Sequence, residues 1–265
     1  MMTHSLDNKS AVVTGGAQGL GEALCQRLAR EGARVAVADV NEAGAQRTGA
    51  AVKGFGMRAD VTREADVKAL FDRAKEEFGR IDIVVANAGI LIAEPVADAD
   101  AERWRAVMNV NLFGSFLTLK HACRIMGPQG CGSIIQINSK SGKRGSSANS
   151  AYAASKFGGI GLVQSVALEM APRNVRCNAV CPGNLLESPL WTDPTNGLFA
   201  QYLRAGKVPG ARTIEDVREA YLKPVPIKRS CTYDDVCNAV VFLGSDQSSF
   251  ITGIALSVTG GQEMG

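Results

Sequence analysis

The most constraining feature of the sequence is a glycine-rich loop that joins a short apolar strand directly to a helix. The run SAVVT at residues 10–14 predicts a strand, and the alanine- and leucine-rich segment at 22–30 predicts a helix. Between them lies GGAQGLG. Its glycines permit a tight turn and close backbone approach, while free N–H groups at the helix start attract phosphate. The loop therefore predicts a dinucleotide site formed by Gly15, Gln18, Gly19, Leu20 and Gly21.

Strand-like and helical segments alternate along the rest of the chain. Further strands are predicted at 34–38, 56–58, 81–86, 133–138, 174–180 and 255–258. Helices are predicted within 41–80 and at 104–119, 150–170 and 234–243. This order predicts an α/β fold with a doubly wound parallel sheet, in a single domain of residues 1–265.

One long segment, residues 184–228, departs from this alternation. It contains five prolines and residues of mixed polarity. Long excursions of this kind from a compact domain are usually functional, as lids or binding loops. We therefore predict a substrate lid around 184–228.

An acidic residue, Asp39, follows the second predicted strand, eighteen residues beyond Gly21. A carboxylate there can accept hydrogen bonds from the adenosine ribose of a dinucleotide and would repel a 2′-phosphate. No basic residue stands at Gln18 or Val40, where such a phosphate would need a partner. The pattern favours NAD over NADP; the alternative is that Asp39 only caps its strand.

Two further segments at strand ends are predicted to contact the cofactor. Asp60-Val61 closes the third strand, where it can meet the adenine ring. Asn87-Ala88-Gly89 ends the fourth strand, where the glycine lets the backbone pass close to the cofactor and the asparagine ties strands together.

Tyr152 and Lys156 are four residues apart on a predicted helix, which places both side chains on one face. A lysine ammonium lowers the pKa of a neighbouring phenol, so the pair predicts a general base, helped by a cationic cofactor. Ser139 ends the fifth strand, where its hydroxyl can donate to a substrate oxygen. The Tyr-Lys pair alone arises by chance in about one such sequence in six, and gains its weight from the cofactor loop.

A polar residue, Asn111, interrupts the apolar run VNLFGSFL within the helix predicted at 104–119. A buried amide needs a hydrogen-bond partner. Two interpretations are equally supported: Asn111 kinks the helix and holds a water near Lys156, or it caps the helix or faces solvent.

Composition excludes several classes of protein. The formal net charge of +3, from 29 basic and 26 acidic residues, is too balanced to suggest a nucleic-acid partner. No apolar run has the length of a membrane helix, and the N-terminus lacks a signal-peptide core, so we expect a cytoplasmic protein. Seven scattered cysteines do not form a disulfide framework, and Cys177 and Cys181 are predicted core residues. With only two histidines, His4 and His121, we expect no metal site.

Taken together, these motifs resemble the short-chain dehydrogenase/reductase family. TGGAQGLG is similar to its TGxxxGxG loop, ANAG to its NNAG element, and Asn111, Ser139, Tyr152 and Lys156 to its catalytic tetrad. The resemblance implies a Rossmann fold, hydride transfer with a nicotinamide, and often a homotetramer. It also implies that Lys156 binds the nicotinamide ribose, that Asn111 positions a proton-relay water, and that the cofactor meets Pro182, Gly183 and, in place of the usual threonine, Ser188.

Within that family, the stretches QINSKSGK, NSAYAASKFGGIGL, GNLLESP, VPIKRSCTYDDV and VTGGQEM resemble the sorbitol-6-phosphate 2-dehydrogenases. This implies NAD-dependent oxidation of a phosphorylated polyol, sorbitol 6-phosphate, to fructose 6-phosphate. The alternatives are a dehydrogenase of another polyol or hydroxy compound and a non-catalytic dinucleotide-binding protein. The predicted substrate residues are Ser139, Lys140, Lys143, Tyr152 and Asn184.

A sugar phosphate needs cations several ångströms from the reacting carbon. The loop between Ser139 and Tyr152 carries Lys140, Lys143 and Arg144. The alternative for each is an ordinary solvated charge, yet together they make this loop unusually basic. We predict Lys143 as a phosphate ligand, with Lys140 as the next candidate.

Overall fold

Seven strands form one parallel sheet in the order β3-β2-β1-β4-β5-β6-β7 in the computed structural model, which describes residues 5–264. His4 lies outside the described residues. The strands are β1 Ser10–Thr14, β2 Arg34–Asp39, β3 Gly54–Arg58, β4 Ile83–Ala86, β5 Gly132–Ile137, β6 Val175–Pro182 and β7 Ala255–Val258.

Ten α-helices accompany this sheet within the same residues. They are α1 Gly19–Arg30, α2 Glu42–Ala51, α3 Glu64–Phe78, α4 Ala101–Met108, α5 Gly114–Gln129, α6 Ser150–Met170, α7 Pro189–Thr192, α8 Leu198–Arg204, α9 Ile214–Leu222 and α10 Tyr233–Gly244. The predicted doubly wound α/β fold is confirmed.

The sheet separates two apolar cores, which explains why its central strands are continuously apolar. Val12 and Val84 lie in the core on one face of the sheet. Their chain neighbours Val13 and Val85 lie in the core on the other face. Because side chains alternate along a strand, both faces demand apolar residues. The strand order reverses between β1 and β4, and in such sheets the crevice at this point receives the ligand.

The helix predicted at 104–119 is two helices joined by a π-helical turn. Asn109–Phe113 forms that turn between α4 and α5. The sequence predicts a long helix here, with a kink at Asn111 as one of two interpretations. It does not predict the π-helical turn, which contains Asn111. π-helical turns widen the backbone and frequently occur at functional sites.

Residues 184–228 contain three short helices, α7, α8 and α9, with an apolar cluster of their own. Trp191 lies at its centre, packed edge-on against the rings of Tyr202 and Tyr221. These two tyrosine rings stack with centroids 5.3 Å apart. The segment is thus an ordered unit packed beside the carboxyl end of the sheet.

The structure shows where the predicted core cysteines lie and whether any helix could span a membrane. Cys177 and Cys181 are fully buried in β6, which confirms them as core residues. Within residues 5–264, no helix is both long enough and apolar enough to span a bilayer.

Candidate active site

The glycine loop turns sharply between β1 and α1. Gly15 and Gly19 have φ angles of +68° and +58°, which side chains other than glycine adopt at a cost. A Cβ on Gly21 would lie only 1.8 Å from the Gly15 carbonyl oxygen. Asn87 Nδ2 donates to the carbonyls of Thr14 and Gly15 at 3.0 Å each, so β4 fixes the loop as predicted. The free amides at the start of α1 are groups of the kind that bind a pyrophosphate.

The loop residues predicted around these glycines lie where the turn meets α1. Gln18 is the extended, exposed N-cap of α1, and Leu20 lies in the first turn of the helix. Ala88 packs closely against the glycine loop, since a Cβ built on Gly15 would lie 2.8 Å from the Ala88 Cα.

Asp39 lies at the end of β2 beside the glycine loop. Its carboxylate accepts hydrogen bonds from the Ala17 amide at 3.1 Å and the Asn41 amide at 3.0 Å. Among the described residues it makes no ion pair. One cation missed by the sequence analysis lies nearby: Arg47 on α2 donates to the Ala17 carbonyl at 2.9 Å. Because Arg47 is eight residues from Asp39, inspecting only the positions next to Asp39 could not find it.

The predicted adenine residues follow β3 in a turn. Asp60 uses its carboxylate within that turn, accepting from the Thr62 amide at 2.9 Å and the Thr62 hydroxyl at 2.7 Å. Val61 is buried, and a Cβ on Gly114 would lie 2.6 Å from its side chain. The turn is therefore held rigidly at the rim of the crevice.

Tyr152 and Lys156 lie on α6 and face the end of β5. Lys156 is buried and donates from Nζ to the Ile137 carbonyl at 2.9 Å. Its Nζ lies 5.5 Å from the centroid of the Tyr152 ring. Ser139 accepts from the Ser141 amide at 3.1 Å, which leaves its own proton free to donate.

Burial acts on both titratable groups of this pair. It raises the pKa of Tyr152, although the hydrogen bond with Ser139 lowers it. Burial also lowers the pKa of Lys156 to about 8. In the protein without a bound cofactor, desolvation is the largest effect on the Tyr152 pKa. The expectation that Lys156 and a cationic cofactor together lower that pKa stays a prediction.

Asn111 is buried, which excludes the solvent-facing interpretation. Its Oδ1 accepts from the Ile90 amide at 2.8 Å, and its Nδ2 donates to the Ile90 carbonyl at 2.9 Å and to Ser155 Oγ at 3.1 Å. A Cβ on Gly89 would lie 3.3 Å from Asn111 Oδ1 and 3.8 Å from Lys156 Nζ. The Asn111 amide thus joins the segment after β4 to α6, close to Lys156.

Three further predicted cofactor residues lie at the end of β6 or after it. Pro182 is the last residue of β6, and the Gly183 amide donates to the Val258 carbonyl at 2.9 Å. Ser188 is the N-cap of α7, and its hydroxyl is buried without a geometric hydrogen-bond partner among the described residues. Tyr233 Oη is likewise buried and unpartnered there, and would contact a Cβ on Gly19 at 3.5 Å.

The sequence analysis missed Tyr233, which directly precedes the helix predicted at 234–243 and is the first residue of α10. Burial raises the pKa of the Tyr233 phenol, and a hydrogen bond with the Ser188 side chain acts to lower it. Apart from each other, these two buried hydroxyls have no partner among the described residues, and an anionic ligand could accept hydrogen bonds from both. Together with the crowded glycines, these hydroxyls have the chemistry that a bound dinucleotide would require.

The predicted substrate residues have different surroundings. Lys143 Nζ donates to the Ala255 carbonyl at 2.6 Å and to Ser257 Oγ at 2.8 Å. Its ammonium is therefore hydrogen-bonded to β7. Asn184 is buried and donates to the Tyr221 carbonyl at 3.2 Å, which anchors the lid segment. Lys140 instead points toward that segment, with Nζ 5.6 Å from the Tyr221 ring centroid.

Comparison with known proteins agrees with this geometry. A family model described as Enoyl-(Acyl carrier protein) reductase matches residues 15–263. The sorbitol-6-phosphate 2-dehydrogenase of Escherichia coli K12 is 41% identical over 97% of this chain and 99% of that protein. The chain belongs to the short-chain dehydrogenase/reductase family. The predicted resemblance is confirmed, and the protein is an oxidoreductase of this family.

Two further relatives show the breadth of the family around this chain. The 2-(S)-hydroxypropyl-CoM dehydrogenase 3 of Xanthobacter autotrophicus is 38% identical over 98% of both chains. The crystal structure of sorbitol-6-phosphate 2-dehydrogenase from Erwinia amylovora matches with a TM-score of 0.89 and 42% identity, covering 96% of this chain and all of that one.

Proposed function

We propose that the protein oxidises sorbitol 6-phosphate to fructose 6-phosphate with NAD. The observation that carries the proposal is the convergence of Ser139, Tyr152 and Lys156 at the carboxyl end of β5, beside the glycine loop. The two sorbitol-6-phosphate 2-dehydrogenases, at 41% and 42% identity over nearly the whole chain, support the substrate.

In this proposal, Tyr152 accepts the proton of the substrate C2 hydroxyl while Ser139 donates a hydrogen bond to the same oxygen. When bound, NAD supplies the electrophilic nicotinamide that accepts the hydride from C2. Lys156, held by the Ile137 carbonyl, would donate its remaining protons to the ribose. The raised pKa of Tyr152 implies that positive charge close to the phenol is needed before it can act as a base.

Several residues would hold the cofactor. The amides of Gly19, Leu20 and Gly21 and the hydroxyls of Ser188 and Tyr233 would bind the pyrophosphate side of the crevice. The remaining predicted contacts would line the adenine and nicotinamide ends, and they are Gly15, Gln18, Asp60, Val61, Asn87, Ala88, Gly89, Pro182 and Gly183.

We infer NAD rather than NADP from Asp39. Its carboxylate is held at the end of β2 by the amides of Ala17 and Asn41, where it would accept from ribose hydroxyls and repel a 2′-phosphate. Arg47 approaches the same place, but its guanidinium is bonded to the Ala17 carbonyl.

Asn111 is a positioning residue in this proposal. Its three hydrogen bonds to Ile90 and Ser155 fix α6, and with it Tyr152 and Lys156, against the segment that follows β4. The relay water near Lys156 stays a prediction.

We further infer that residues 184–228 act as a substrate lid, that the enzyme is a cytoplasmic homotetramer, and that its partners are small molecules. The exposed rings of Phe116 on α5 and Phe157 on α6 support self-association, because these helices pack together and leave apolar side chains uncovered. The unpaired thiols of all seven cysteines support a reducing compartment.

The test is NADH formation with sorbitol 6-phosphate, unphosphorylated sorbitol and a panel of other polyols and hydroxy acids, each with NAD and with NADP. Sorbitol 6-phosphate with NAD should give the highest kcat/KM. Tyr152→Phe keeps the ring and removes only the hydroxyl, so it should bind NAD and lose turnover by at least ~100-fold. Preference for another alcohol would overturn the proposed substrate, and turnover by Tyr152→Phe would overturn the proposed base.

A further inference from the structure

Two lysines beside the catalytic tyrosine share an aromatic platform formed by Tyr202 and Tyr221. Lys140 lies directly after Ser139, at the carboxyl end of β5, with its Nζ 5.6 Å from the Tyr221 ring centroid. Lys207, on the segment between α8 and α9, has its Nζ 3.9 Å from the Tyr202 centroid and 6.0 Å from that of Tyr221. The fold thus brings two ammonium groups together that are 67 residues apart in sequence.

Neither ammonium is neutralised. Among the described residues, neither lysine forms an ion pair within 4.0 Å. The carboxylate that acts on Lys140, Glu263, is paired with Arg144 at 3.6 Å. The ammonium of Lys207 has neutral partners only, donating to Ser146 Oγ at 3.0 Å and, with the Asn149 amide oxygen turned toward it, to Asn149 at 2.7 Å.

The two charges are unfavourable as they stand. Burial, together with a smaller effect of repulsion by Lys140, lowers the pKa of Lys207 to about 7. Burial lowers the pKa of Lys140 to about 8. Contacts with the tyrosine faces recover part of this cost, since a cation over an aromatic ring is stabilised. Two partly buried like charges without a counter-ion are nevertheless the arrangement that a dianion would satisfy.

The position of the cluster identifies the dianion. Tyr152 packs against the same apolar cluster as Tyr202 and Tyr221, and Lys140 adjoins Ser139 in the chain. A ligand that presents a hydroxyl to Ser139 and Tyr152 would therefore extend its far end toward the lysines. We propose that Lys140 and Lys207 together form the binding site for the phosphate group of the substrate, an inference that rests on the proposed sorbitol 6-phosphate activity.

This assignment replaces Lys143, which the sequence favours. Lys143 shares the basic loop, but its ammonium is bonded to the Ala255 carbonyl and Ser257 on β7. It is therefore less available to a ligand than Lys140 or Lys207.

The first experiment compares Lys140→Met and Lys207→Met, which keep the length of each side chain, with the exposed lid lysine variant Lys223→Met. Each of the first two should raise the KM for sorbitol 6-phosphate and lower the ratio of kcat/KM for sorbitol 6-phosphate over sorbitol by at least ~tenfold. Lys223→Met should leave this ratio unchanged. A normal ratio in both cluster variants, or a loss confined to Lys143→Met, would overturn the site while the proposed activity stands.

The second experiment does not depend on the activity. At constant ionic strength, replacing chloride by inorganic phosphate should raise the melting temperature of the wild-type protein by about 2–4 °C, and acetate should raise it less. The double variant Lys140→Met/Lys207→Met should lose this response. If phosphate stabilises only the wild type but sorbitol 6-phosphate is not oxidised, the proposed activity fails and the anion site stands. An equal response in wild type and double variant would overturn the site.

Discussion

Raising the pH from 7 to 9 should weaken binding of the phosphorylated substrate through the lysine pair. Lys140 and Lys207 have pKa values lowered to about 8 and about 7, below the ordinary lysine value, so the charge that phosphate needs is lost as the pH rises through this window. The protonated fraction of Lys140 falls from ~0.9 to ~0.1 between these pH values, and that of Lys207 from ~0.5 to ~0.01. The affinity should fall at least ~tenfold if one protonation is required, and further if both are.

The groups that face the pair do not offset this change. Burial raises the pKa values of Tyr202 and Tyr221, so both phenols stay neutral across the window. Glu263 and Arg144 face Lys140, where they act in opposite directions on its pKa. The phosphate itself is already largely dianionic above pH 7, because its second pKa is about 6.

The assay must separate binding from the proton transfer at Tyr152. The ratio of kcat/KM for sorbitol 6-phosphate between wild type and Lys140→Met/Lys207→Met achieves this, because both enzymes share the same chemistry. The advantage of the wild type should be large at pH 7 and at least ~tenfold smaller at pH 9. A ratio that stays constant from pH 7 to 9 would refute the reasoning.

Four further predictions concern the cofactor and the assembly. Lys156→Ala should lower kcat at least ~100-fold and also weaken NAD binding measured by titration, whereas unchanged NAD affinity would remove its ribose role. Asp39→Ala should raise kcat/KM with NADP at least ~tenfold, because Arg47 could then pair with the 2′-phosphate. The double variant Asp39→Ala/Arg47→Ala should lose that gain. Equal kcat/KM with NADP in the two variants would exclude Arg47 as the phosphate partner. Tyr233→Phe should raise the KM for NAD ~2- to 10-fold without changing kcat, and an unaltered KM would show that its hydroxyl does not reach the cofactor. Light scattering should give a tetramer for the wild type and smaller species for Phe116→Glu, and a wild-type monomer at micromolar concentration would contradict the proposed assembly.

The sheet and the glycine loop could be read from the sequence because their causes are local. A strand covered on both faces must be apolar at every position, as in β4, so the pattern itself predicts the parallel sheet. The sharp turn at Gly15 and the close contact at Gly21 similarly demand residues without side chains. Helix α6 has the bounds that the sequence predicts, Ser150–Met170.

The π-helical turn could not be predicted, because its cause lies in another part of the chain. Asn111 satisfies its amide on the backbone of Ile90, 21 residues earlier, and on Ser155, 44 residues later. No periodicity within 104–119 contains that information. The surroundings of Tyr152 escaped prediction for the same reason, since the degree of burial that raises its pKa depends on elements brought together only by the fold.

The positions of the lysine ammonium groups could not be predicted from their proximity in the sequence. Lys140 and Lys143 flank one turn of 3-10 helix, yet the first ammonium faces the tyrosines of the lid and the second is bonded to β7. The second member of the proposed site, Lys207, belongs to the lid segment itself. A phosphate bound between Lys140 and Lys207 would therefore connect the end of β5 to the lid and cancel the repulsion between the two ammonium groups. If the lid closes on substrate, a phosphate bound by both lysines would stabilise the closed lid, and unphosphorylated sorbitol lacks this interaction. The enzyme would then prefer the phosphorylated substrate because of the same two lysine charges that bind its phosphate.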